Sequence, residues 1–104
     1  MWLLKSAGDD APGETLRLLP GTARTLGRNR TADFIIDALL LSRVHCRFEV
    51  SDDDRLTVID LDSTNGTFVN ERRVQRAVLA AGDRLRLGRL ELVVEHPEGA
   101  ETVP

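Results

Sequence analysis

Short runs in which apolar and polar residues take turns recur along nearly the whole chain, and this period of two most constrains the fold. Leu16 and Leu18 alternate with Thr15 and Arg17. Val44, Cys46, Phe48 and Val50 alternate with His45, Arg47 and Glu49. Leu85 and Leu87 alternate with Arg84 and Arg86, and Leu90, Leu92 and Val94 with Arg89, Glu91 and Glu95. Successive side chains of a strand point to opposite faces, so such runs read as strands with one face buried. The compact apolar runs at 33–37, 56–61 and 67–69 and the stretch Thr22–Leu26 read as further strands. Pro20-Gly21, the Asp52–Asp54 run, Asn65-Gly66, Gly82-Asp83 and Gly88 supply turns between them. Many short strands with frequent turns predict an all-β chain folded as an antiparallel sandwich of two twisted sheets. Residues 71–81 fit this less cleanly. They also read as a short helix stopped by Gly82, but the β reading is preferred because a helical N-cap is lacking.

Length and composition bound the function. A chain of 104 residues makes one domain with one core. Aromatics are 4% of residues, with one Trp and no Tyr, so Leu and Val must fill that core. No apolar run approaches the roughly 20 residues that cross a bilayer, so no membrane partner is expected. The opening Met1-Trp2-Leu3-Leu4-Lys5 is too short, with the wrong charge order, for a secretory signal. A single cysteine allows no internal disulfide and fits a reducing, cytoplasmic compartment. A net charge of −3, a pI near 5.3 and few aromatics disfavour nucleic acid as a partner. Yet Arg24, Arg28, Arg30 and Arg43 fall in or beside loop motifs, so a small cationic site stands on an acidic body.

Three loop motifs carry the chemistry. In Gly27-Arg28-Asn29 the glycine lets the backbone leave a strand, presenting a guanidinium whose planar fork suits phosphate. In Ser42-Arg43-Val44-His45 the hydroxyl, loop amides and a second arginine offer further donors. His45 reads as a hydrogen-bonded structural residue facing away from Val44, Cys46 and Phe48. In Ser63-Thr64-Asn65-Gly66-Thr67 the Asn-Gly pair is a turn signal, but three polar residues crowding one tip call for more than a hairpin. Asn70-Glu71 is a further turn. No nucleophile has an evident base, and no spacing of His, Cys, Asp or Glu suggests a metal. Cys46, on an apolar face, reads as an inert core thiol. These features predict phosphate binding without catalysis, cofactor or metal.

Taken in order and spacing, Gly27-Arg28, Ser42-Arg43-Val44-His45, Thr64-Asn65-Gly66-Thr67 and Asn70 resemble the forkhead-associated (FHA) family, and the likeness spans about residues 2–95. The resemblance implies an eleven-stranded sandwich over 1–96, and residues 97–104 read from their sequence as a disordered tail. Its end loops would bind phosphothreonine peptides of partner proteins. It assigns the phosphate to Arg28, Ser42 and Thr64 with help from Arg43. Asn65 would hold the peptide backbone, and Gly27, His45, Gly66 and Asn70 would shape the loops. Leu39, Leu40 and Leu41 precede Ser42, and Leu40 and Leu41 are candidates for a pocket that reads residues after the phosphothreonine. Preference for phosphothreonine over phosphoserine is likewise implied by the family. The family's Asn-Gly at the later hairpin is Asn70-Glu71 here, which puts the geometry of that turn in question. A fainter likeness, in Met1-Trp2 and Arg17-Leu18-Leu19, is to the FHA domain of a nuclear DNA-repair adaptor. Such modules usually belong to longer proteins. The alternative function is a phosphate-independent interaction or self-association scaffold on the same sandwich.

Overall fold

The computed structural model describes residues 1–7 and 13–97, so residues 8–12 and all but the first residue of the 97–104 tail lie outside the described residues. Eleven strands follow in chain order among these residues: β1 (Trp2–Ala7), β2 (Thr15–Leu18), β3 (Thr22–Gly27), β4 (Phe34–Ile35), β5 (Cys46–Val50), β6 (Leu56–Asp60), β7 (Thr67–Val69), β8 (Arg72–Val74), β9 (Arg76–Val78), β10 (Arg84–Leu87) and β11 (Leu90–Glu95). They form a six-stranded sheet ordered β2-β1-β11-β10-β7-β8 and a five-stranded sheet ordered β4-β3-β5-β6-β9. Pairing is antiparallel except between β3 and β4, which run parallel. The inward alternation of both sheets builds one core from Leu4, Leu18, Phe48, Leu56, Val58, Leu85, Leu87, Leu92 and Val94, each fully or almost fully buried. Each such side chain contributes about 1.5–3 kcal/mol relative to exposure, which makes aliphatic packing the main source of stability.

Three local departures from the sequence reading have physical causes. The strand expected over 44–50 begins at Cys46, because Val44 and His45 belong to a loop with the His45 ring turned inward. Alternation therefore does not extend to His45. The strand expected over 33–37 shrinks to Phe34–Ile35, since the Asp33 carboxylate instead accepts the Thr25 amide at 2.8 Å. Segment 71–81 contains two strands and no helix, as preferred, and it crosses between sheets. β8 pairs with β7 in one sheet and β9 with β6 in the other. Gln75, between them, fastens the crossing: its Nε2 donates to the Asp60 carbonyl at 2.9 Å, and the Asp60 amide donates to the Gln75 carbonyl at 2.9 Å. Both sheets thus end along one flank.

Strand direction sorts the loops into two groups. β3, β6 and β10 end, and β5, β7 and β11 begin, at the same pole of the sandwich. At the other pole, Trp2 stacks on His96 at 3.9 Å between ring centroids and donates Nε1 to the Asp54 carbonyl at 3.1 Å. His96 Nε2 also meets the Asp54 carboxylate at 2.6 Å.

The β7–β8 hairpin answers the question raised by Asn70-Glu71. Val69 pairs with Arg72 across a two-residue turn, with φ of 49° at Asn70 and 70° at Glu71. Two positive φ values define the type I′ turn, so the geometry survives the replacement of glycine by glutamate at the cost of backbone strain. Asn70 compensates by bonding to Asp83 Oδ1 at 3.0 Å and accepting the Arg84 amide at 2.9 Å. Glu71→Gly should therefore stabilise the fold by about 1 kcal/mol, seen as a rise of a few degrees in Tm. An unchanged or lowered melting temperature would contradict strain at Glu71.

Candidate functional site

The three sequence motifs occupy one pole. The β3–β4 loop starts at Gly27-Arg28, the β4–β5 loop carries Leu39–His45, and the β6–β7 loop carries Asp62–Gly66. A Cβ on Gly27 would lie 2.0 Å from the Arg43 carbonyl oxygen and 2.8 Å from Val44 Cα. Only glycine permits this contact. The approach lets the Arg28 amide donate to the Ser42 carbonyl at 3.1 Å and the Asn29 amide to the Arg43 carbonyl at 3.0 Å. The His45 amide donates to the Leu26 carbonyl at 2.8 Å, so the first two loops are zipped together.

His45 joins the second loop to the third. Its ring is fully buried; Nδ1 accepts the Ser42 amide at 3.1 Å and Nε2 lies 2.9 Å from the Gly66 carbonyl. An amide donor at one nitrogen and a carbonyl acceptor at the other fix the neutral tautomer with its proton on Nε2. Burial lowers the His45 pKa below its ordinary value, with the Gly66 carbonyl and the Asp60 charge opposing that shift. Ser42 Oγ accepts the Thr64 amide at 3.0 Å. That bond leaves the hydroxyl hydrogen of Ser42 available to an outside acceptor.

The third loop is held from beneath by a residue that the motif analysis missed. Asp60 is a buried carboxylate at the end of β6. It accepts the Ser63 amide at 3.1 Å, the Ser63 hydroxyl at 2.5 Å and the Thr67 hydroxyl at 2.8 Å. Burial pushes its pKa up, but the hydrogen bonds from Ser63 and Thr67 outweigh burial and leave it below the usual carboxylate range. Ser63 Oγ also accepts the Gly66 amide at 3.0 Å. The crowding at the tip thus has two explanations: Ser63 faces inward as scaffold, while Thr64 and Asn65 face out. The available signal was an acidic residue at an inward strand position three residues before Ser63.

Above this scaffold lies an open groove of about 600 Å³ lined by Arg28, Ser42, Arg43, Asp62, Thr64, Asn65 and the leucines at 39–41. Arg28, Ser42 and Thr64, from three separate loops, are therefore brought together. The Arg28 and Arg43 side chains are exposed and make no hydrogen bond or ion pair with the described residues. Asn65 Nδ2 donates to the Leu40 carbonyl at 2.9 Å, leaving its second amide hydrogen and its oxygen unengaged. That contact and Gly88 brace Leu40 at a φ of 65°. Gly27, His45 and Gly66 stand behind the groove. Asn70 is not at this pole but in the β7–β8 turn at the far end of β7. Of the two candidate pocket leucines, Leu41 is turned into the core at 1% exposure. Leu40, with Leu39, supplies the exposed apolar surface. Asp62 was not anticipated; it places a carboxylate at the groove rim. Cys46 is fully buried, which pushes its thiol far above the ordinary range. Among the described residues no His, Cys, Asp or Glu cluster is placed to hold a metal ion, and no helix is long and apolar enough to cross a membrane.

Comparison with known proteins places this architecture. The family model of the FHA domain matches residues 24–88. The glycogen accumulation regulator GarA of Mycobacterium tuberculosis is 37% identical over 76 residues, covering 73% of this chain and 46% of GarA. The oxoglutarate dehydrogenase inhibitor of Corynebacterium diphtheriae is 36% identical over 81 residues, 77% of this chain and 56% of that protein. This chain thus spans about half the length of these relatives. The crystal structure of the FhaA FHA domain complexed with the intracellular domain of Rv3910 superposes with a TM-score of 0.80 at 36% identity, covering 91% of this chain and all of that one. An FHA domain studied for phosphothreonine-dependent interactions superposes with a TM-score of 0.81 at 36% identity, covering 91% and 95% of the two chains. The chain belongs to the FHA family. The relatives are bacterial regulators and inhibitors and lend no support to the nuclear likeness in Met1-Trp2 and Arg17-Leu18-Leu19.

The depressed pKa of His45 generates a pH dependence. An unfolded chain takes up a proton at this residue near pH 6.5, whereas the folded ring resists it until a lower pH. The contribution of His45 is complete above pH 6.5 and is lost as pH falls through the folded value. An NMR titration of the His45 ring should give a midpoint below 6.5, with loosening of Ser42 and Gly66 as the ring charges. A midpoint at or above that value would refute the buried neutral ring.

Proposed function

We propose that this FHA domain binds a phosphothreonine of a partner protein in the groove formed by Arg28, Ser42 and Thr64, and that it catalyses nothing there. One observation carries the reading: three loops distant in sequence converge on a shared spot, and the donors they turn outward have no internal partner. Arg28 offers a planar fork to two phosphate oxygens, and the Ser42 hydroxyl offers the hydrogen that its bond from Thr64 leaves unspent. Thr64 adds a hydroxyl and Arg43 a second positive charge. Asn65, half engaged with Leu40, turns its remaining amide groups to the peptide backbone. Leu39 and Leu40 offer apolar contact to side chains following the phosphothreonine.

A phosphothreonine carries about −1.5 to −2 charge near neutral pH. Each charge-assisted hydrogen bond is worth roughly 1.5–3 kcal/mol, so a few suffice for selective binding from a small footprint. A non-phosphorylated threonine leaves the same donors facing no anion. Phosphatase or other hydrolytic chemistry is disfavoured because Ser42 lacks a base. The nearest imidazole spends Nδ1 on the Ser42 amide, not its hydroxyl, and Nε2 on Gly66. A phosphate-independent scaffold would have no use for an unpaired Arg28 beside a free hydroxyl. Regulators and inhibitors among the relatives support a role in signalling within a longer bacterial cytoplasmic protein.

Two outcomes test the site. Arg28→Ala should weaken phosphopeptide binding about a hundredfold or more, through loss of a bidentate pair worth roughly 3 kcal/mol, while leaving the thermal melt unchanged. Calorimetry showing near-wild-type affinity would refute the assignment. Asp62→Asn should act in the opposite direction, tightening the same peptide about two- to threefold by removing an exposed like charge from the rim. Weaker binding by Asp62→Asn would mean that its carboxylate holds the ligand or the loop.

A further inference from the structure

Behind the third loop lies a basic row that the groove does not use. On the outer face of the six-stranded sheet, Arg86 of β10, Phe68 of β7 and Arg73 of β8 stand side by side in register. The Arg86 guanidinium lies 4.1 Å from the centroid of the Phe68 ring. A methyl placed on Gly66 would come within 2.8 Å of Arg73 Nε, so Arg73 packs against the back of the very loop that carries Thr64 and Asn65. Arg72 and Arg76 do not join this row: Arg72 shares the side of its sheet with Val69, and Arg76 lies on the outer face of the five-stranded sheet beside Glu49 and Thr57. Arg86 and Arg73 are exposed, and neither forms an ion pair with a described residue. Glu91 stands opposite Arg86 in register and Glu71 lies in the adjacent turn, yet neither pairs with them. In a chain of net charge −3, two exposed arginines with no direct ion pair keep their N–H donors available to an outside carboxylate.

From this juxtaposition we infer that the Arg86–Phe68–Arg73 row is a second docking surface, which takes acidic residues flanking the phosphothreonine of the same ligand. The inference rests on the phosphothreonine reading. Its occupant is chosen by charge complementarity and by continuity with the groove through Gly66. Stacking on Phe68 restrains the Arg86 guanidinium while its N–H groups make no bond to a described residue, which lowers the entropy lost when a carboxylate binds. A ligand reaching around the third loop would place its Asp or Glu side chains on this row. The competing role is protection of exposed sheet edges, for which arginines at β8 and β9 are also suited.

The test uses the whole chain and phosphothreonine peptides of one core sequence, flanked on either side by Glu or by Gln, measured by calorimetry at low and high salt. At low salt the better-placed Glu flank should bind about three- to tenfold more tightly than its Gln counterpart, and the advantage should shrink at high salt. Arg73→Gln should erase that advantage while leaving the Gln-flanked affinity unchanged. Arg17→Gln, an equal loss of charge on β2 at the opposite edge of the sheet, should not. Charge reversal, Arg73→Glu with Arg86→Glu, should shift the preference to Lys flanks. Equal binding of Glu and Gln peptides, or equal effects of Arg73→Gln on both, overturns the second surface and leaves the groove intact. Failure of every phosphopeptide to bind overturns both readings. Self-association of the Arg73→Gln variant with unaltered peptide preference assigns the row to edge protection.

Discussion

The Arg43 carbonyl oxygen occupies the space that a side chain on residue 27 would need. Everything at this pole depends on that contact. It lets two loops separated by fifteen residues lie backbone to backbone and continue the hydrogen bonding of β3 and β5 beyond the sheet. Arg28 follows immediately, so the direction of its side chain is set by a backbone that has little freedom. The third loop is then tied to the second through His45 and Ser42. The groove is rigid because its walls are hydrogen-bonded to one another, not because it is deep.

A division of labour follows from counting donors. The buried polar groups at this pole are committed: His45 to Ser42 and Gly66, Asp60 to Ser63 and Thr67, and Ser63 to Asp60 and Gly66. Burying such groups without partners would cost a few kcal/mol each, so their pairing is required by stability alone. The groups left unpaired, the guanidinium groups of Arg28 and Arg43, the Ser42 hydroxyl hydrogen and the outer amide of Asn65, all lie on the water side. Scaffold residues and the proposed ligand-binding residues are thereby neighbours with opposite hydrogen-bonding status. Ser42 belongs to both, since it accepts from Thr64 and keeps a hydrogen to give.

What the sequence disclosed follows the same division. Strands were legible because a half-buried sheet imposes alternation, and the eleven-stranded sandwich and family resemblance agree with the structure. Loop contacts were less legible, because a hydrogen bond between residues 42 and 64 leaves no periodic trace. Asp60 looked like the end of an apolar strand, and its role appears only when Ser63 and Thr67 fold over it. The inward turn of His45 also ran against strand alternation, since its ring is held by Ser42 within its own loop and by Gly66 of the next. Asp62 and the basic row were hidden for a different reason: neither breaks a pattern, and each acquires meaning only from its distance to the groove. Segment 71–81 was ambiguous because a strand, a sheet crossing and a second strand have no single period.

The leucines before Ser42 show how the scaffold reaches the ligand side. Leu40 holds a φ of 65°, a conformation that costs a non-glycine residue about 1–2 kcal/mol. Its carbonyl accepts from Asn65, and Gly88 packs so closely against it that a Cβ would lie 2.4 Å from that oxygen. The Arg89 amide donates to Leu39 at 2.9 Å. The β10–β11 hairpin thus clamps a strained segment in place, with Leu39 and Leu40 facing outward and Leu41 anchored in the core. An exposed apolar pair held this firmly loses little entropy on contact, so in the proposed complex the rim would add selectivity to an affinity supplied by charge.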